Sequence, residues 1–216
     1  MAASKQFSFP VGHAGLALES CVADLRVRLA LVPPALLAER TGASYLEVGQ
    51  GRGEFHFAFL GDPIILTYPD FRALKTDGAS LPVMKQTLLM YYFITSDGTA
   101  PLGNWISFAD LPDGRVYASA FQGYTGDTVV KTFRLNLQSF RSACEAIGGR
   151  RVSLGDAAYS FQALPQLDLS LVFHLGDEDF PSICKILFDK NAAHYLPTEG
   201  CAILGNMLAQ RLLRAK

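Results

Sequence analysis

Around the stretch GDEDFPSICKILFDKNAAHYLPTEG, Gly176 to Gly200, five side chains could ligate a hard cation or move a proton: His174, Asp177, Asp179, Asp189 and His194. In an extended segment, neighbouring side chains point to opposite faces, so Asp177 and Asp179 could converge while Glu178 faces away. Oxygen-rich donors favour Mg²⁺, Mn²⁺ or Ca²⁺ over a soft metal. Such a set would serve a metal-assisted hydrolase or lyase. The spacing is not that of a calcium-binding EF-hand loop, because Ser182 stands where the sixth-position glycine belongs and Phe188 where the twelfth-position glutamate belongs. The competing reading is structural. Gly176 and Pro181 bound a polar loop between two apolar runs, and Asp189 with Asn191 caps a short NAAHYL turn.

Other chemistry is sparser. His13 sits near a helix start and His56 on the polar face of a strand, where both read as solvated. Cys21, Cys144, Cys184 and Cys201 are far apart and form no CxxC pair, which argues against a zinc ribbon or a self-contained iron–sulfur site. A Cys–His nucleophile pair built on Cys184 or Cys201 competes with the inert core cysteine. GQGRG contains a Gly-x-Gly, but it precedes a strand rather than a helix, so it reads as a hairpin turn and not a phosphate loop. There is no Walker A loop, no GxSxG elbow and no HExxH.

The elements that must hold these residues alternate between two periods. Leu18, Cys21, Leu25, Leu29 and Val32 recur at three- and four-residue steps, an amphipathic helix ended by Pro33-Pro34, and PALLAERTG gives a short second helix stopped by Gly42. Phe55, Phe57 and Phe59 then alternate with Glu54, His56 and Ala58; with YLEV before and PIILTY after, they predict a three-stranded meander. Ser80 is expected to cap LPVMKQTLLMYYFITS, a mostly buried helix stopped at Asp97-Gly98. NWISFA and RVYASAF, joined by LPDG, predict a hairpin. Helical spacing continues from Val130 to Ile147, with a break expected near Asn136 and a stop at Gly148-Gly149. AYSFQAL and LDLSLVFH alternate as strands, with Leu167, Leu169, Leu171 and Phe173 on one face. The strands Leu167–His174 and Cys184–Phe188 are expected to pair antiparallel across an exposed Asp177–Pro181 loop. Thr198 is expected to cap a final helix through Leu213. The sum is a single α+β domain, residues 1–216, with about eight mostly antiparallel strands and four or five helices.

Composition narrows the function class. Of 216 residues, 50% are hydrophobic and only 18% charged, below the roughly 25% of an ordinary domain, so apolar material beyond a core is on hand for a homo-oligomer interface or a pocket. The positive mean hydropathy of +0.19 points the same way. A net charge of −1 without a basic block excludes nucleic acid as a partner. The longest apolar runs, such as LLMYYFI, are too short to span a bilayer, and MAASKQFSFP leads into a charged helix rather than a signal-peptide core. The expectation is a cytoplasmic protein with reduced thiols.

GNWISFADLPDG, AIGGRRVSLGDAAYSFQALPQ and GDEDFPSICKILFDKNAAHYLPTE resemble the consensus of the domain of unknown function 3786 family, most closely over residues 103–199. Asp179 stands where that family's second glutamate would be, a change that keeps the charge. The resemblance implies a family common in anaerobic bacteria and archaea, with some members joined to iron–sulfur segments or placed near corrinoid-dependent methyl transfer. It implies no catalytic residues and fixes no cofactor. The expected function is a non-catalytic binding or accessory module for a cofactor, a small ligand or a partner protein. The alternative is the metal-assisted hydrolase or lyase on the acidic loop 177–189.

Overall fold

The computed structural model describes residues 15–216, with side chains from Leu18 onward; MAASKQFSFP and His13 lie outside the described residues. Helix α1, Gly15–Leu29, turns Leu18, Leu25 and Leu29 into the core. After the proline pair, α2 spans Pro34–Thr41; Pro34 occupies the first turn, where a missing N–H costs nothing. Gly42 closes it in the left-handed region at φ 70°.

Strands β1 (Ser44–Gly49), β2 (Arg52–Phe59), β3 (Asp62–Tyr68) and β4 (Ala73–Lys75) form an antiparallel sheet in that order. The expected meander is there, extended by the short β4. Phe55, Phe57 and Phe59 are all buried, as a period-two pattern with one core face requires. Helix α3, Val83–Thr95, buries every side chain from Thr87 to Phe93, as a helix apolar on all sides must. It packs against α1 and against the sheet, with the Phe93 ring 5.1 Å from Phe55 and 5.6 Å from Phe57. Ser80 is not its cap. The helix starts only after Pro82, because a residue preceding proline is kept out of the helical region, and Ser80 bridges Leu74 instead.

The hairpin expected from NWISFA and RVYASAF does not form. Strand β5 is only Trp105–Ser107, and it pairs with the distant β9 (Ile183–Asp189). The Ser107 side chain and backbone N–H both bond Asp110, a capping box that winds Phe108–Asp110 into a helical turn. A second such turn, Gly114–Val116, leads into α4, Ala118–Tyr124. The long helical pattern splits as expected: α5 is Gly126–Phe133 and α6 is Leu137–Ala146, with the Asn136 side chain accepting from the Ser139 N–H to start α6.

Strands β6 (Arg150–Arg151), β7 (Ala157–Leu164) and β8 (Leu167–His174) complete a second antiparallel sheet, ordered β5-β9-β8-β7-β6. Leu167, Leu169, Leu171 and Phe173 are fully buried. The chain closes with α7, Thr198–Arg214. Thr198 does not cap it: Pro197 holds the cap position, and the Thr198 hydroxyl donates to the Pro112 carbonyl, tying the helix start to the Leu111–Gly114 turn. Leu204, Leu208 and Leu212 lie on its core face. The two sheets meet where the Leu60 N–H donates to the Ala163 carbonyl at 2.8 Å, and side chains of both join one buried cluster. The α+β, antiparallel reading therefore holds. Among the described residues no helix is long and apolar enough to cross a membrane.

Candidate functional site

The acidic loop folds on itself. The Asp177 Oδ1 accepts the backbone N–H groups of Asp179 at 2.9 Å and Phe180 at 2.8 Å, while its own N–H donates to the Phe180 carbonyl. This is an Asx-type turn, in which a short carboxylate substitutes for a strand partner. The Gly176 N–H donates to the Ser182 hydroxyl across the loop base. Asp177, Glu178, Asp179 and Phe180 are exposed, as is His174 at the end of β8. The strands on either side pair antiparallel, with His174 opposite Ile183.

Asp189 lies at the far end of β9, six residues beyond Ile183, or about 20 Å at the rise of a strand. It is fully buried. Its carboxylate accepts the N–H of Leu102 at 3.1 Å, of Gly103 at 2.6 Å and of Asn191 at 3.0 Å. Asn191, also buried, donates through Nδ2 to the Thr99 and Gln166 carbonyls, while its Oδ1 has no partner among the described residues. His194 lies nearby in a helical turn, Ala192–His194, with Nδ1 2.7 Å from Asp97 Oδ2 and 3.3 Å from the Thr99 hydroxyl. Burial pushes the Asp97 carboxyl up, but hydrogen bonds from His194 and Thr99 outweigh it and leave it below the usual range.

The structure thus brings Asp189 and His194 to one end of β9 and leaves His174, Asp177 and Asp179 at the other. Among the described residues no group of three or more His, Cys, Asp or Glu side chains could hold a metal ion. The thiols of Cys184 and Cys201 are fully buried, and burial pushes both up, the second to about 12, the reverse of what a nucleophile needs.

A different place gathers chemistry. Where the β2–β3 turn meets β7, the seam between the sheets opens into a cleft of about 270 Å³. Leu60, Phe161 and Leu208 line it, together with Arg150, Gln162 and Arg211. Arg211, on α7, forms a two-pronged pair with Asp62, Nη1 to Oδ2 at 2.8 Å and Nη2 to Oδ1 at 2.9 Å, so its guanidinium plane is fixed. The third nitrogen of that guanidinium, Nε, is buried with no acceptor among the described residues. Arg150 is 69% exposed at the side chain and reaches Asp168 only at 3.7 Å, beyond hydrogen-bonding distance. Burial pushes the Asp168 carboxyl up; Arg150 opposes that shift and the charge of Asp189 adds to it.

Sequence reasoning missed this cleft. Arg211 reads from the sequence as a charge suited to the C-terminus of the last helix, and Arg150 carries no signal of its own. Residues 62, 150, 162 and 211 share no local spacing, and only the contact between the sheets makes them neighbours. Neither the curated proteins nor the solved structures hold a match for this chain. A family model does match, over residues 33–211, most of the chain. The chain belongs to the family described as a domain of unknown function, DUF3786.

Proposed function

We propose that the protein is a binding or accessory module that takes a small ligand in the cleft at the seam between its sheets. One observation carries this reading: the Arg211 guanidinium, paired two-pronged with Asp62, lines a cleft beside Arg150, Gln162 and the apolar Leu60, Phe161 and Leu208. A few fixed polar groups within apolar walls are the ordinary make-up of a small-molecule site, and elements from different parts of a fold commonly build one. At about 270 Å³ the cleft is just below the size that takes drug-sized ligands, so a whole corrinoid or haem ring does not fit inside it. Within this reading, any link to corrinoid or iron–sulfur chemistry runs through a partner protein. The four free cysteines support a reducing, cytoplasmic setting.

Ala58 is exposed and lines the cleft, so Ala58→Trp fills its mouth without entering the core. The test screens a chemically mixed set of small molecules by thermal shift against both proteins. Compounds that stabilise the native chain should lose their effect in Ala58→Trp. If no compound shifts the native protein, or the shifts survive the blocked mouth, the reading fails.

A further inference from the structure

We infer that the free edge of β1 is a docking strand for a second copy of this chain, paired antiparallel about a two-fold axis through Leu46. A sheet edge offers a row of unmet backbone N–H and C=O groups, and proteins ordinarily blunt it with short strands, charge, proline or a covering segment. Three of the four edges here follow that rule. Residues 79–81 cover β4, with the Lys75 N–H donating to the Ala79 carbonyl and the Leu81 N–H to the Ala73 carbonyl, both at 2.9 Å. Strand β5 is only Trp105–Ser107 before the chain turns at Phe108, and β6 consists of Arg150 and Arg151, both exposed. Strand β1 breaks the rule. It spans six residues with no proline and no basic side chain, and among the described residues its only strand partner is β2.

The side chains of β1 point to the same occupant. All but the half-buried Tyr45 are exposed, and Leu46 and Val48 are 58% and 65% exposed. Apolar side chains beside unmet backbone groups fit an extended strand, which covers both at once. A second copy brings such a strand, and a two-fold axis lets each edge serve the other identically. Charge selects the register. Glu47 is the only charged residue of β1, and like charges directly opposite each other are unfavourable. An axis through Glu47 would oppose the two carboxylates. An axis through Leu46 sets each Glu47 across from Tyr45 and joins the two Leu46 side chains. A bulge between Glu47 and Gly49 interrupts the β1–β2 ladder, so the straight part of the edge is Ser44–Glu47. The net charge of −1 raises little long-range repulsion between copies. A contact this short falls below the roughly 1,000 Å² of a stable interface, so the dimer forms and dissociates with concentration.

The test is sedimentation velocity of the full chain over about a hundredfold range of concentration centred near about 10 μM. Hydrogen exchange of the Ser44–Glu47 amides is followed at both ends of that range. The native chain should pass from monomer to dimer as concentration rises, and the outward-facing amides among these should exchange about tenfold more slowly in the dimer. Leu46→Lys puts a charge at the axis without touching the core, and should weaken association at least about tenfold at an unchanged melting temperature. Phe180→Ser, at an exposed apolar residue of a different loop, should leave association as it is. A native chain that stays monomeric throughout the range overturns the inference. So does a dimer that survives Leu46→Lys, or one that leaves the exchange of the β1 amides unaltered.

Discussion

The backbone N–H of Gly103 donates to the carboxylate of Asp189 at 2.6 Å, joining residues 86 positions apart. Leu102 donates to the same carboxylate, so a fully buried negative charge is neutralised by peptide dipoles from an exposed segment. Buried charges persist only when their hydrogen-bonding capacity is met, and here backbone groups meet it. The consequence is positional: residues 97–104 run without regular structure, yet they are fixed by Asp189, by Asn191 through the Thr99 carbonyl and by His194 through Asp97.

Asp189→Asn keeps the shape and removes the charge. One amide oxygen cannot serve all three N–H groups, and the new NH₂ faces donors. The loss should be at least about 1.5–3 kcal/mol, the worth of a hydrogen bond to a charged group, read from urea denaturation at pH 7. A change below about half a kcal/mol would mean that the carboxylate does not hold the segment.

The opposite outcome is expected at the acidic loop. Asp177→Asn retains the Oδ1 acceptor that receives the Asp179 and Phe180 N–H groups, and Glu178 is exposed. Asp177→Asn and Glu178→Gln should each change stability by roughly half a kcal/mol or less. Neither substitution should alter a thermal response to Mg²⁺, Mn²⁺ or Ca²⁺. A gain in stability in either variant, coupled with loss of a metal-induced shift, would restore the ligand reading of this loop.

These two aspartates show what a sequence discloses. Asp177 lies between Gly176 and Pro181, which resist strand continuation, so its loop could be placed from residue types alone. Asp189 was visible as a titratable group, but its partners are backbone N–H groups of Leu102 and Gly103, which no residue type marks. The phenylalanine alternation of β2 and the β8–β9 pairing were legible because a period of two needs only one buried face. Strand β5 was legible, but its partner was not, because Ser107 and Asp110 redirect the chain into helical turns within three residues. The seam cleft depends on Arg150, Gln162 and Arg211 from three separate elements, and pairing of that kind is written in tertiary contact.

The Asp97–His194 pair should show in the pH dependence of stability. Hydrogen bonds hold the Asp97 carboxyl below its ordinary value of 3.8. A depressed folded-state value means the contribution is fully present above the unfolded value and is lost as the pH falls through the folded one. The stability difference between the native protein and Asp97→Ala should therefore be present at pH 5 and shrink below about pH 4. Both side chains are half exposed, so the difference should be small, within about 1 kcal/mol. A difference that grows as the pH falls below 4 would contradict the pairing.

Two neighbouring glycines should respond to alanine with opposite signs. Gly126 opens α5 against β9, so closely that a Cβ there would collide with the Cys184 carbonyl oxygen. That oxygen also accepts from Gln122 Nε2 at 2.9 Å, and it belongs to the backbone of a central strand, so it cannot move aside cheaply. Gly126→Ala should cost about 1–3 kcal/mol, the range for overpacking a filled contact. Gly123 lies within α4, is exposed, and a Cβ there would meet nothing within 4 Å. Its freedom is spent only in the unfolded chain, so Gly123→Ala should stabilise by about 0.4–1 kcal/mol. Denaturation midpoints of the two variants, measured side by side with unchanged slopes, decide the matter. A neutral Gly126→Ala would show that α5 does not rest on β9 at that distance.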